Sequence, residues 1–127
     1  MYKTTATFGE FMKRKREKKQ ISLRELARRL EVSAPFLSDV ENNRRAPLTE
    51  ERLSTLAVVL NLSEAEEAEM YDIVGHQKGL LAPDLNRYVN ERPYVNAALR
   101  IARKLEANED DWKMFIKELI KRKSGDN

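Results

Sequence analysis

The stretch that decides the fold is Ile21 to Arg45, ISLRELARRLEVSAPFLSDVENNRR. Ser22 precedes one apolar-periodic run and Ser33 precedes a second, so each offers a hydroxyl oxygen to the free N–H groups of a helix start. Ile21 is placed to staple onto Leu26, and Val32 onto Leu37, which fixes the angle at which the chain enters each helix. Only Glu31 to Ser33 remain as a connection. A link this short forces the second helix across the first at a steep angle, with Leu26, Ala27, Leu30, Val32, Leu37 and Val40 as the contact set.

Outward from this segment the same signals recur. Thr7 with Glu10, Ser22 with Glu25 and Ser63 with Glu66 each have capping-box spacing, and Asn108 with Asp111 is a weaker variant. Pro83 and Pro93 suit a first helical turn, where a missing N–H costs nothing. No stretch alternates with the period of a half-buried strand, so the expected fold is all-α, with helices near 7–19, 23–30, 34–42, 49–60, 64–74, 84–91, 93–106 and 109–122. The polar GHQKG at 75–79 is read as a break, giving a five-helix domain over 1–75 and a short helical C-terminal tail over 76–127. In the last helix Trp112, Phe115, Ile116, Leu119 and Ile120 form one apolar stripe. The stripe is expected to pack on Leu99, Ile101 and Leu105 within the tail, or to dock on the first domain or on a second subunit.

The 127 residues include no Cys, which excludes disulfides and thiolate metal sites and suits a reducing cytoplasm. MYKTTATFGEFM lacks the apolar run of a signal peptide, and Leu56 to Leu60 is too short to cross a bilayer, so a cytoplasmic chain without a membrane partner is expected. Charge is unevenly spread around a net +3. Residues 1–48 carry twelve Lys and Arg against six Asp and Glu, whereas 49–75 carry one against seven. A basic block beside an acidic one suggests a face for an anionic polymer, with the run Lys13 to Lys19 read mainly as a solvated surface. Glu66, Glu67 and Glu69 read as an exposed acidic face. The single His76 has no second ligand, and no Gly-rich phosphate loop or nucleophile motif is present, so neither a metal site, a cofactor nor an enzyme is expected.

Capped helix, three-residue turn and steeply crossing second helix together make a helix-turn-helix. With Leu26-Ala27, Val32-Ser33 and Val40-Glu41-Asn42 in place, residues 7–62 resemble the lambda-repressor-like, Xre-type family of helix-turn-helix regulators. The resemblance implies that the helix after the turn enters the DNA major groove and the helix before it rests across the phosphates. Carried over by position, Ser33, Ala34, Pro35, Phe36, Ser38 and Asp39 would lie nearest the bases. Ser22, Arg24, Asn42, Arg44 and Arg45 would meet phosphates. Arg16 and Glu41 align with a family ion pair that braces the reading helix.

Three positions depart from the family pattern. Leu23 stands where a DNA-contacting Gln is common. Glu31 replaces the turn Gly, and Asn43 replaces the Gly after Glu-Asn; in a left-handed conformation Asn is tolerated, whereas Glu costs about 1 kcal/mol or more. Ala34, Pro35 and Phe36 can offer only apolar contacts, such as to a thymine methyl, while Asp39 can accept from a cytosine amino group. The expected function is a transcriptional repressor binding a palindromic operator in double-stranded DNA as a homodimer. The alternative is an antitoxin-like or adaptor protein whose tail holds a protein partner.

Overall fold

The computed structural model describes residues 6–125, and every regular element among them is helical: α1 Phe8–Lys18, α2 Leu23–Leu30, α3 Ala34–Glu41, α4 Glu50–Val59, α5 Glu64–Lys78, a 3-10 turn Pro83–Leu85, α6 Asn86–Asn90, α7 Pro93–Lys104 and α8 Glu109–Lys123. Each α-helix start from α1 to α5 has a Ser or Thr oxygen accepting a first-turn N–H. The ends are as uniform as the starts. After α1 to α5 and α7 the chain enters the left-handed region at Gln20, Glu31, Asn43, Asn61, Gly79 and Glu106. At each, the following N–H reaches five residues back: Ile21 to Arg16 O, Val32 to Ala27 O, Arg44 to Asp39 O, Leu62 to Ala57 O, Leu80 to Gly75 O and Ala107 to Ala102 O. This is the Schellman closure, which satisfies orphan carbonyls and turns the chain within two residues.

Two compact units result, one ending at Asn86 and one beginning at Arg87. In the first, α1 packs on α3 and α5, and α2 packs on α3 and α4. Phe8, Phe11 and Met12 of α1, Leu26 of α2, Leu37 and Val40 of α3, Leu53 and Leu56 of α4, and Met70, Ile73 and Val74 of α5 are essentially inaccessible to solvent. Glycine allows the closest helix contact. A Cβ at Gly9 would strike the Glu41 carbonyl oxygen and lie 2.7 Å from Val40 O and from Asn43 Oδ1, so α1 passes directly over the C-terminal end of α3.

The break expected at 75–79 is not a break. α5 continues through Gly75 to Lys78, and only Gly79, in the left-handed conformation, ends it. Gly75 is buried because the chain doubles back, and a Cβ there would lie 2.8 Å from the backbone N and Cα of Ala82. Small size at Gly75 therefore serves packing, not flexibility. The acidic face of α5 is also more than a solvated surface, since Glu66 accepts from Lys15 Nζ at 2.6 Å and Glu69 faces Arg14 at 3.7 Å. Part of the basic block at the N-terminus is thereby matched to the acidic block inside one unit.

The second unit has no buried residue in α7 or α8. Asn108 and Asp111 form a full capping box at the start of α8. An open groove of about 620 Å³ runs between the two helices, with Ala98, Ala102 and Ala107 among its lining and with Tyr88, Tyr94, Trp112 and Phe115 as aromatic walls. Leu99 lines it, but Ile101 and Leu105, expected to pack against the stripe, are 58% and 73% exposed and stand away from it.

Three outcomes follow in denaturation experiments. Gly9→Ala should lower stability by about 2 kcal/mol or more, because two of the three atoms it meets, the Glu41 and Val40 carbonyl oxygens, are backbone and cannot rotate away. Glu31→Gly should raise stability by about 0.5–1 kcal/mol by relieving a left-handed non-glycine residue, whereas Asn43→Gly should bring no gain, since it removes the Oδ1 that accepts the Gly9 N–H. Lys15, and then the Ser63 backbone, hold the Glu66 carboxyl down at about 2. Because the folded value lies below the unfolded one, this contribution is complete above about pH 4.5 and is lost as pH falls towards 2. The stability advantage of the wild type over Glu66→Gln should therefore shrink across that window.

Candidate nucleic-acid interface

The path from sequence to site begins at the turn. Glu31 closes α2 in the left-handed conformation, Val32 tucks against the core, and Ser33 starts α3 with its hydroxyl accepting the Phe36 N–H at 3.1 Å. On α3 the inward face is Leu37, Val40 and Glu41, all buried. The remaining side chains reach solvent. Ser33 and Pro35 are exposed, and Ala34, Phe36, Ser38 and Asp39 are half-buried, so all six positions expected at the bases reach solvent, although Ala34 and Phe36 also pack against the core.

Charge on this helix runs against the usual preference. Its first turn has no acidic residue, and both of its carboxylates, Asp39 and Glu41, sit near the C-terminal end where the helix dipole is itself negative. Each is answered by arginine. Glu41, 7% exposed in its side chain, is gripped from α1 by Arg16: Nε donates to Oε2 at 2.7 Å and Nη2 to Oε1 at 3.1 Å. Arg16 Nη1 also donates to the Ile21 carbonyl at 2.9 Å, so one guanidinium joins α1, the entry to α2 and the end of α3. The hydrogen bonds to Glu41 raise the Arg16 pKa further above its ordinary value, against the opposing effect of burial.

Asp39 faces outward and lies between Arg44 Nη1 at 3.6 Å and Arg45 Nε at 3.7 Å. Arg45 in addition lies over the Phe36 ring, 4.8 Å from its centroid. Phe36 thus packs on the core and carries a cation on its outer face. The Asp39, Arg44, Arg45 and Phe36 cluster was not legible as a unit in the sequence, because the turn after Glu41 breaks the helical spacing that would have linked them. Asn42 is exposed, and its side-chain amide donates to the Ser38 carbonyl at 2.9 Å.

At the start of α2, Ser22 accepts from the Glu25 N–H at 3.1 Å, but the capping box expected there is only half made. The Glu25 carboxylate turns instead to Arg28 Nε at 3.0 Å and Arg29 Nε at 2.9 Å, and these cations hold it down at about 2. The Ser22 N–H meets no acceptor among the described residues, and Arg24 beside it is exposed. This helix start therefore presents N–H donors, a hydroxyl and a guanidinium to solvent, which suits an anionic oxygen.

A family profile agrees with this geometry. The profile of the helix-turn-helix domain family matches residues 7–70, about half of the chain. A curated relative, the ImmF control region 10 kDa protein of Bacillus phage phi105, is 41% identical over 54 residues; the match takes in 42% of this chain and 59% of the relative's length. Among solved structures, the SinR protein/SinI protein complex superposes with a TM-score of 0.46 at 21% identity, covering 93% of this chain and 99% of that one. Among the described residues no helix is long and apolar enough to cross a membrane, and no cluster of His, Cys, Asp or Glu could hold a metal ion. The match spanning α1 to α5, laid over two capped helices joined by the Glu31–Ser33 turn, shows that the chain belongs to the helix-turn-helix family of DNA-binding transcription regulators, of the lambda-repressor-like Xre type.

Proposed function

We propose that this regulator is a repressor that occupies a palindromic operator as a homodimer and excludes transcription by covering the promoter. The observation that carries the reading is the outward face of α3, uncharged at its N-terminal end and bordered by Arg44 and Arg45. In this account Ser33, Ala34, Pro35, Phe36, Ser38 and Asp39 face base edges, with Ala34, Pro35 and Phe36 suited to thymine methyl groups. Ser22, Arg24, Asn42, Arg44 and Arg45 hold the flanking phosphates and fix the register of the helix in the groove. The name of the phage relative, a control-region protein, supports regulation of transcription.

Dimerisation is assigned to the unit beginning at Arg87. With Ile116 and Ile120 of α8 53% and 63% exposed and nothing buried in α7 or α8, the unit is short of a core of its own. A second copy fits the charge pattern. α8 begins with Glu109, Asp110 and Asp111 and ends with Lys121, Arg122 and Lys123, so two copies packed antiparallel set each acidic end beside the other's basic end. Two recognition helices about 34 Å apart, one turn of DNA, would then read the two half-sites.

Two measurements test this. Binding to duplex DNA should weaken steeply with salt, with a log–log slope of about −4 to −9, and Arg44→Ala with Arg45→Ala should flatten the slope and weaken all sequences nearly alike. Unchanged binding by the double mutant would contradict the phosphate assignment. Ile116→Glu with Ile120→Glu should shift the sedimenting species to monomer and lower the affinity for a selected palindrome; a dimer that persists would move the interface elsewhere, and a monomeric wild type that captures another protein would favour the adaptor reading.

A further inference from the structure

The outward carboxylate on α3 is unexplained by folding. Asp39 lies toward the negative end of the helix dipole, where a carboxylate is unfavourable, and among the described residues its side chain makes no hydrogen bond to the fold. On a face meant for phosphates it also repels the ligand. The contrast with Glu25 is informative. Glu25 binds Arg28 and Arg29 at hydrogen-bond distances of 3.0 and 2.9 Å, whereas Asp39 faces Arg44 and Arg45 at 3.6 and 3.7 Å, beyond hydrogen-bond reach. The first pair of arginines is committed to its carboxylate. The second pair is held to its carboxylate only by charge, in solvent, by an interaction of a kind that contributes little to stability and is readily exchanged.

We propose that Asp39 is a specificity-determining residue that acts as a built-in competitor for phosphate: it neutralises part of the Arg44 and Arg45 charge when the protein meets arbitrary DNA, and releases both arginines only when a base edge takes over its carboxylate. The inference rests on α3 being the DNA-reading helix. On random sequence, Asp39 stays beside the arginines or is desolvated against phosphates, and binding is weakened. Where a cytosine amino group lies opposite, the carboxylate accepts that hydrogen and its competition with phosphate ends. Arg45, already stacked on Phe36 at 4.8 Å, keeps its orientation through the exchange because the ring holds it independently of Asp39. Discrimination between sequences is thereby widened from the non-specific side, by lowering affinity for the large excess of competing sites.

The test compares the full-length wild type with Asp39→Asn, and with Asp39→Ser as a second neutral replacement, on random-sequence duplex DNA across a salt series. Removing one negative charge per bound subunit should add about one released counterion for each, strengthening non-specific binding about fivefold and steepening the log–log slope by about one per subunit at 0.15 M salt. On duplexes selected by the wild type from random DNA, both variants should lose affinity relative to their own non-specific binding. A merely structural role for Asp39 would not steepen the salt slope. Non-specific affinity and slope unchanged in both folded variants would overturn the proposal. The DNA-reading assignment of α3 fails separately, if Arg44→Ala with Arg45→Ala binds random duplex as tightly as the wild type; in that case a change in the Asp39 variants would have no arginines to act through.

Discussion

Three segments of the first unit meet at the Arg16 guanidinium. Its Nε and Nη2 are spent on the two oxygens of Glu41, and its Nη1 on the carbonyl that precedes the Ser22 cap. The pairing requires α1 to lie close against the C-terminal end of α3, which only a residue without a Cβ at position 9 permits. Asn43 completes the joint by accepting the Gly9 N–H at 3.2 Å, using the left-handed turn that ends α3 to aim its side chain inward. The orientation of α3 is thus set by polar contacts at its C-terminal end, which leave its N-terminal end exposed.

That arrangement explains the reversed charge of α3. In the proposed role α3 approaches DNA by its first turns, where an acidic start would repel phosphates, and its carboxylates do sit at the far end. One is buried and answered by Arg16 in a forked geometry. The other is exposed and answered by Arg44 and Arg45 at longer range. Burial separates their roles, since a buried charge without its partner is costly, whereas an exposed one exchanges partners at little cost.

Local chemistry made the first unit legible from sequence. The serines at 22 and 33, the three-residue turn and the apolar periodicity each act within a few residues, and α2 and α3 lie where these signals put them. What escaped depends on distance in space. Gly75 looked like punctuation because glycine usually is, and only the return of Ala82 onto α5 reveals it as a packing position. Glu25 fits a capping box, but Arg28 and Arg29, three and four residues ahead on the same face, compete for its carboxylate and win. The pairing of the basic N-terminal run with α5 was equally hidden, because charge composition does not tell an internal complement from an external one.

The central claim is that a buried ion pair between α1 and α3 positions the DNA-reading helix, and a double-mutant cycle measures it directly. Denaturation midpoints and duplex binding would be recorded for the wild type, Glu41→Ala, Arg16→Met and the combination. Glu41→Ala should cost more than about 2 kcal/mol and abolish DNA binding although Glu41 faces inward, and adding Arg16→Met should recover part of the stability because no unpaired charge remains. Additive effects below about 1 kcal/mol, with DNA binding retained, would contradict the account and make the Arg16–Glu41 pair no stronger than an exposed one.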